Sequence, residues 1–557
     1  MRSMRLVNPL VRSPGVPAPT EDVLEACSRS PGRSPEQVAV IAAGVVVLVA
    51  SLVLRFWTPS PMWLDEALTV NIAREPLRAL PHLLRDDGAP PLYYVLLHFW
   101  MKLFGTSDLG ARSLSGVIGV LTLPAAWLAG YRVGSQSWRG DDTSTGSEPA
   151  GRERSGRVVA WTTMFLVATS PFAVYYDTEA RMYSLVILLS TLGVLAYCAV
   201  LKRPTIWNAT ALAAITGGLL YSHYWALFLV AATAIGTAWA ARSGARARNC
   251  RAALVALAAG TCAFLPWVPT FLFQLHHTGT PWAAPADFTA LVYTFTQFAG
   301  GNSDAGRALA LVFAFLALLA IAGSALDSRR VVLDLRTRPG VRGFALVAGG
   351  TLIIAVIAGK LAGSTFADRY SAVILVPCLL VVAYGVTTLA DHRVRLRIVA
   401  LAIALGLAAS VPNALLTRSQ AGQVASAVLA GARPGDVVAF CPDQLGPAVN
   451  RELGNRFDEV AFPRGNNPAI VNWVDYAATV EHASPKRFAK LVESLAGPRH
   501  AIWYVWAPGY RNYGNDCQVI ANELGQRRAL HAVVAEQPSD TPFEIFEGES
   551  LYRYAQP

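Results

Sequence analysis

Apolar runs of about 20 residues recur through the first three quarters of this chain, and nothing else in it constrains the fold as much. A helix rises about 1.5 Å per residue, so each run is long enough to cross a hydrocarbon core of about 30 Å. They read as about eleven transmembrane helices, at roughly 37–57, 110–132, 158–176, 183–201, 205–222, 224–241, 252–273, 307–326, 344–362, 373–390 and 397–415. Only 15% of residues are charged, against about 25% in soluble domains. A mean hydropathy of +0.38 points the same way. The expected fold class is a polytopic α-helical membrane protein.

Arginine orients the bundle. It is concentrated in the N-terminal tail and in alternate loops, at 139–157, 202–203, 242–251, 329–342 and 393–397. The positive-inside rule places these segments in the cytoplasm. With an odd number of spans the alternation is unbroken, so the N-terminus lies inside and the segment after the last span lies outside the plasma membrane. The net charge of +10 is then mostly loop topology. Its arginines form no single stripe, which argues against a nucleic-acid partner.

Residues 1–36 are rich in Pro, Ser and Arg and are expected to form a disordered cytoplasmic tail. They are too long and polar for a signal-peptide n-region, so the first apolar run is read as a retained span. A transmembrane module follows over 37–415. Beyond 416 the apolar runs shorten to strand length. Strands are expected at 435–440, 500–506, 529–535 and 543–552, with helices near 443–453, 485–495 and 516–524. This alternation predicts a small extracytoplasmic α/β domain over 416–557. No Gly-rich phosphate loop follows these strands, which argues against a nucleotide site.

The seven cysteines contain no CxxC pair, so zinc and thioredoxin-type readings fall away. Cys441 and Cys517 belong to the outer domain, where a disulfide can persist. In a parallel sheet both would lie near its carboxyl edge, which makes pairing plausible; two free thiols are the alternative.

The outer loop 58–109 holds most of the chemistry. It opens with Trp63-Leu64-Asp65-Glu66-Ala67 and continues through Asp86-Asp87-Gly88-Ala89-Pro90-Pro91-Leu92-Tyr93-Tyr94. The stretch 91–104 is short for a full span and reads as an interfacial helix, its aromatic residues at headgroup level. A second outer loop, 274–306, carries His276-His277. A carboxylate pair at the water-facing mouth of a bundle suits a substrate carried on a membrane lipid. If a sugar leaves a lipid phosphate, the phosphate is already a good leaving group and needs cations, while the incoming hydroxyl needs a base.

Both parts are present. Asp65 is the preferred base, with Glu66 beside it; the alternative is a pair of ordinary interfacial charges. Asp87 is a second acid. Glu179 and Arg181, in Tyr176-Asp177-Thr178-Glu179-Ala180-Arg181-Met182-Tyr183, either pair with each other or place Arg181 against a phosphate or acceptor. Asp368-Arg369-Tyr370 opens the tenth span, where a charge is costly unless it faces the bundle interior or the interface. Arg369 is therefore a donor-phosphate candidate, because its planar fork donates two parallel bonds. The alternatives are snorkelling or pairing with Asp368, and Lys360 is a candidate assistant. His223, Glu179, Tyr183, Tyr93 and Asp87 are the candidates for holding acceptor or sugar. One His pair and scattered acids do not make a metal site, and no cofactor is expected.

Five of these segments together resemble the C-type superfamily of glycosyltransferases. They are Trp63 to Ala67, Ala89 to Tyr94, Glu179 to Tyr183, Ser222-His223-Tyr224 and Asp368-Arg369-Tyr370, in the expected order over about 37–390. The superfamily includes protein O-mannosyltransferases, lipid A aminoarabinose transferases and many bacterial mannosyl- and arabinosyltransferases. The resemblance implies inverting transfer from a polyprenyl-phosphate monosaccharide on the outer face, with Asp65 as base. Members often have a His shortly before the double proline; Asp86-Asp87-Gly88-Ala89 stands there instead, so that residue's role does not carry over. An Ala- and Arg-rich composition suggests a high-GC organism such as an actinobacterium, where similar chains extend or cap lipoarabinomannan and related envelope glycans or glycolipids. The expected donor is then a decaprenyl-phosphate sugar, with mannose preferred over arabinofuranose. A lipid-linked sugar flippase or transporter is the competing class. It is disfavoured because transporters place polar residues at mid-membrane, whereas the acids and arginines here cluster at one mouth.

Overall fold

In a computed structural model the chain is described over residues 35–556, apart from 137–148, 245, 280–286, 302, 326–329, 335–338, 363–366, 455 and 538–545. The expected disordered tail therefore falls outside the described residues, except for Pro35 and Glu36. The chain divides into two units, 1–49 and 50–557. The first is described only as the opening of the Pro35–Leu54 helix.

Each of the eleven expected spans falls on helix, but the count of eleven is not confirmed. Among the described residues eight helices are long and apolar enough to cross a membrane. A ninth crossing would be a broken one, Gly151–Ala168 and Pro171–Asp177, bent by 55°. The break has a local cause. Ser170 caps the second helix by accepting from the Ala173 N–H, and Pro171 has no N–H to continue the first. The remaining two, Ile206–Leu220 and Ala226–Ala240, have 15 residues each, which at about 1.5 Å per residue falls short of a full core.

The loop after the first span folds into three helices. Leu64–Arg74 carries Asp65 and Glu66 in its first turn and Arg74 in its last, each charge opposing the helix dipole. Leu80–Asp87 ends at Gly88, whose φ of +85° lets the chain turn. The stretch 91–104, expected to be an interfacial helix, does form a helix, Leu92–Phe104, 13 residues long. Ser107 then caps the long Asp108–Ser135 helix.

The C-terminal region carries a five-stranded sheet, but the sheet is mixed rather than parallel. Strand Val437–Cys441 pairs in parallel with Asp458–Ala461 on one side and Ile502–Trp506 on the other. Ser550–Ala555 runs antiparallel to Ile502–Trp506, and Ala529–Val534 lies antiparallel at the edge. The strand expected at 543–552 thus lies at 550–555, and its first three expected residues fall outside the described ones. Cys441 ends its strand and Cys517 is the second residue of the Asp516–Gly525 helix; they are joined, with Cα atoms 5.4 Å apart.

This sheet region packs against the acid-bearing loop. Asn71 Nδ2 donates to the Ala469 carbonyl at 2.9 Å, and the Trp473 N–H donates to the Asp86 carbonyl at 3.1 Å. Asn472 donates to the Asp86 carboxylate at 3.0 Å, and Arg451 meets Asp108 at 3.0 Å. The loop is held between bundle and sheet region rather than left free.

Candidate functional site

Asp65 and Glu66 are neighbours on one helix, yet they meet different surroundings. Successive residues on a helix point about 100° apart. Glu66 turns inward and is fully buried. Arg112, near the start of the Asp108–Ser135 helix, grips it with two bonds, Nε to Oε1 at 2.7 Å and Nη2 to Oε2 at 2.6 Å. The Ala180 N–H adds a third at 3.0 Å, and Arg418 lies 3.7 Å away. Burial alone would raise this carboxyl, but Arg112, Arg418 and the Ala180 amide hold it below its ordinary range. Glu66 is thereby a charged strut with no open face for a substrate.

Asp65 faces the other way and keeps 15% of its side chain exposed. Its Oδ2 lies 3.5 Å from Arg181 Nη2 and 3.5 Å from Arg369 Nη1. Both contacts are ionic rather than well-formed hydrogen bonds, and Oδ2 has no hydrogen-bond partner. Arg181 is aimed by its other bonds, donating from Nη1 to Thr69 Oγ1 at 2.9 Å and to the Asp65 carbonyl at 3.3 Å. Arg369 lies over the Trp63 ring at 5.7 Å and beside Tyr370 at 5.9 Å. The sequence motifs at 63–67, 179–183 and 368–370 therefore converge on a single carboxylate and two guanidinium groups.

The other candidates surround this triad at different removes. Asp87 accepts from the Tyr94 hydroxyl at 2.7 Å; burial raises its carboxyl to about 6, against the opposing pull of Arg181. Tyr93 bonds Ser115 at 2.8 Å, and Ser115 donates to the Arg181 carbonyl at 3.2 Å, so Tyr93 braces the backbone behind Arg181. Glu179 does not pair with Arg181. It accepts from the Trp63 indole at 3.1 Å and lies 3.9 Å from Arg418; burial pushes it up to about 7. Tyr183 is buried with its hydroxyl unpartnered, its ring 5.8 Å from His223 and 4.7 Å from Tyr176. His223 accepts from the Trp225 N–H at Nδ1. Burial, Arg181 and Arg369 push it down to about 3, so it is neutral and adds no cation. Lys360 is 45% exposed, 3.8 Å from Asp287 and over the Phe288 ring, and none of its contacts involves the triad. His277 pairs with Asp475 at 3.0 Å. Among the described residues no three His, Cys, Asp or Glu side chains converge to hold a metal ion.

Three residues that the sequence did not single out complete the surroundings. Arg112 had a readable signal, a charge inside a long apolar run, which faces the bundle interior. Arg418 is buried, bonds Thr178 Oγ1 at 2.7 Å and lies over the Tyr175 ring at 4.3 Å. Glu547 is also buried and accepts from the Leu64 N–H at 2.8 Å. Neither lies in a local pattern that distinguishes it from an ordinary surface charge.

No family model and no characterised protein sequence matches the chain. Solved structures do match. ArnT from Cupriavidus metallidurans bound to undecaprenyl phosphate aligns at a TM-score of 0.56 and 14% identity, over 94% of this chain and 98% of that one. The apo state of the same protein gives 0.56 and 14%, over 93% and 97%. An oligosaccharyltransferase from Archaeoglobus fulgidus, tethered with an acceptor peptide, gives 0.47 and 10%, over 93% and 74%, a score too low to establish a relation. The two ArnT structures show that this chain shares their fold.

Proposed function

We propose that this chain is an inverting glycosyltransferase that moves a monosaccharide from a polyprenyl-phosphate donor to an envelope glycan or glycolipid, such as lipoarabinomannan, at the outer face of the plasma membrane. One observation carries the reading: Asp65 Oδ2 lies 3.5 Å from both Arg181 and Arg369. A general base and a two-arginine phosphate clamp are the parts such a transfer requires. An undecaprenyl-phosphate-bound protein of the same fold supports the choice of donor.

In the reaction the acceptor hydroxyl gives its proton to Asp65 as its oxygen attacks the anomeric carbon. The bond from that carbon to the phosphate oxygen breaks, and the charge stays on the lipid phosphate between Arg181 and Arg369. Before the donor arrives, Asp65 is the counter-ion of both arginines. The donor phosphate replaces it in that role and leaves its carboxylate free for the acceptor. Asp87, Tyr183 and His223 are the proposed sugar and acceptor contacts, with Tyr93 and Glu179 supporting the backbone and the Trp63 side chain. Mannose is the first sugar to test and arabinofuranose the second.

The test uses purified full-length protein in nanodiscs. Radiolabelled decaprenyl-phosphate mannose and decaprenyl-phosphate arabinose are supplied separately, with a mannan or arabinan oligosaccharide as acceptor. Transfer from one donor, lost in Asp65→Asn, is the expected result and names the sugar. Undiminished transfer in Asp65→Asn would remove Asp65 from the chemistry. Binding of both donors without transfer would favour a flippase.

A further inference from the structure

The helix that bears Asp65 begins without a cap of its own. The first four N–H groups of any helix lack intrahelical acceptors, and the residue before the helix often supplies one. Here that residue is Trp63, which makes no side-chain cap bond and turns its indole N–H to Glu179. The N–H of Leu64, first in the helix, instead donates to Glu547 Oε2 at 2.8 Å, across 483 residues of sequence. Burial pushes the Glu547 carboxyl well above its ordinary range, against the opposing pull of the Leu64 amide, so what it offers the helix is a hydrogen-bond acceptor rather than a charge.

Glu547 is itself fixed on both sides. Its N–H donates to the Arg418 carbonyl at 2.9 Å and its carbonyl accepts from the Gln420 N–H at 3.0 Å. Arg418 in turn donates its N–H to Ser60 Oγ at 2.7 Å, four residues before Leu64. The guanidinium of Arg418 bonds Thr178 and lies within 4 Å of both Glu66 and Glu179. A short two-stranded clasp, 418–420 and 547, thus reaches from the sheet region to the first turn of the acid-bearing helix and to the Arg181 loop.

We infer that Glu547 is a positioning residue: by capping the Leu64–Arg74 helix it sets the station of Asp65 between Arg181 and Arg369. Asp65 is the next residue after the capped amide, so a frayed first turn moves its carboxylate directly. Displacement of a reacting group by about 1 Å costs on the order of 10²-fold in rate. The role rests on the proposed transfer reaction for its kinetic consequence, but its structural content is independent of it.

Two variants of the full-length protein in nanodiscs test this. Glu547→Gln keeps a side-chain oxygen that can accept from Leu64; Glu547→Leu has none. Transfer kinetics are measured beside hydrogen–deuterium exchange in peptides covering 62–74. In Glu547→Leu, kcat is expected to fall about 10- to 100-fold with the donor KM little changed, and exchange in the first turn of the helix to speed up. Glu547→Gln should restore both. Unchanged exchange in Glu547→Leu overturns the inference, as does a Glu547→Gln variant as impaired as Glu547→Leu. If the wild type transfers no sugar, the functional reading fails, and the exchange data alone still decide the role of Glu547.

Discussion

Replacing Glu66 and Asp65 one at a time separates a strut from a base, although the two residues are chemically alike and adjacent. In Glu66→Gln the carboxylate that neutralises Arg112 is gone. Arg112 keeps the carbonyls of Ser60 and Pro61, at 2.7 and 3.2 Å, and a neutral amide oxygen in place of the carboxylate, and Arg418 keeps Glu179 at 3.9 Å. Removing one partner of a buried ion pair costs about 3–5 kcal/mol, and Glu66 and Arg112 are both buried. Asp65→Asn removes a carboxylate that keeps some exposure and whose contacts are ionic at 3.5 Å, with no hydrogen bond to Oδ2, so its loss costs less than that of the doubly bonded Glu66. Equilibrium unfolding in mixed detergent micelles should therefore rank Glu66→Gln well below Asp65→Asn. Transfer should rank them differently, with Asp65→Asn losing about 10²- to 10⁴-fold as a missing general base does. Donor binding in Asp65→Asn should hold or tighten, because the phosphate no longer competes with a carboxylate for the two arginines. The pH dependence supplies a sign check. Glu66 is held below its ordinary 4.5, so its contribution is present above that pH and lost as pH falls through the lower folded value. The stability gap between wild type and Glu66→Gln should accordingly narrow in acid. A Glu66→Gln protein as stable as Asp65→Asn would refute the assignment of Glu66 as a strut.

Arg369→Ala should raise the donor KM about 10- to 100-fold, the loss of a charged hydrogen-bonded phosphate contact of about 1.5–3 kcal/mol. Lys360→Ala should leave donor KM within about twofold, on the scale of an exposed ion pair, and a larger effect would show that Lys360 reaches the phosphate. Asp87 is raised to about 6 by burial, so its contribution to stability is full below its ordinary 3.8 and is lost as pH rises through about 6. Asp87→Asn should thus gain stability relative to wild type as pH rises from about 4 to 6, and a flat difference in unfolding across that range would count against the burial. Reduction of Cys441–Cys517, which are 76 residues apart, should cost about 4 kcal/mol by loop entropy; an unfolding curve indifferent to reductant would show that the bond does not form.

The parts of the fold that were legible are those where the solvent dictates the sequence. Long apolar runs are forced by the hydrocarbon core, so every expected span fell on helix. Where local chemistry competes with that demand, the count became uncertain. Ser170-Pro171 breaks one run into two bent helices, and two others stop at 15 residues. In the sheet region Val437–Cys441 and Ile502–Trp506 were readable because they are wholly buried apolar runs. The Asp458–Ala461 strand was missed: it is four residues long and opens on two acids. The antiparallel return of Ser550–Ala555 was equally unreadable, because strand direction is a property of the connection and leaves no mark in composition.

The same reasoning explains what was legible in the site. The fold brings Asp65, Arg181 and Arg369 to one point: the first two stood out in the sequence by their place at the outer mouth and their flanking motifs, and Arg369 by the rule that a charge beside a long apolar run is costly unless it has a purpose or a partner. These signals failed to say which of two adjacent acids faces outward, because both sit in the first turn and only the position of Arg112 decides. They also failed for Arg418 and Glu547, which lie outside the spans, where charges are ordinary. Yet these are the residues through which the sheet region touches the acid-bearing helix, at Ser60, Leu64 and Thr178. A bundle alone would supply the base and both arginines but leave the first turn of the Leu64–Arg74 helix without an acceptor for its leading amide. The C-terminal region therefore finishes the helix on which the proposed base stands.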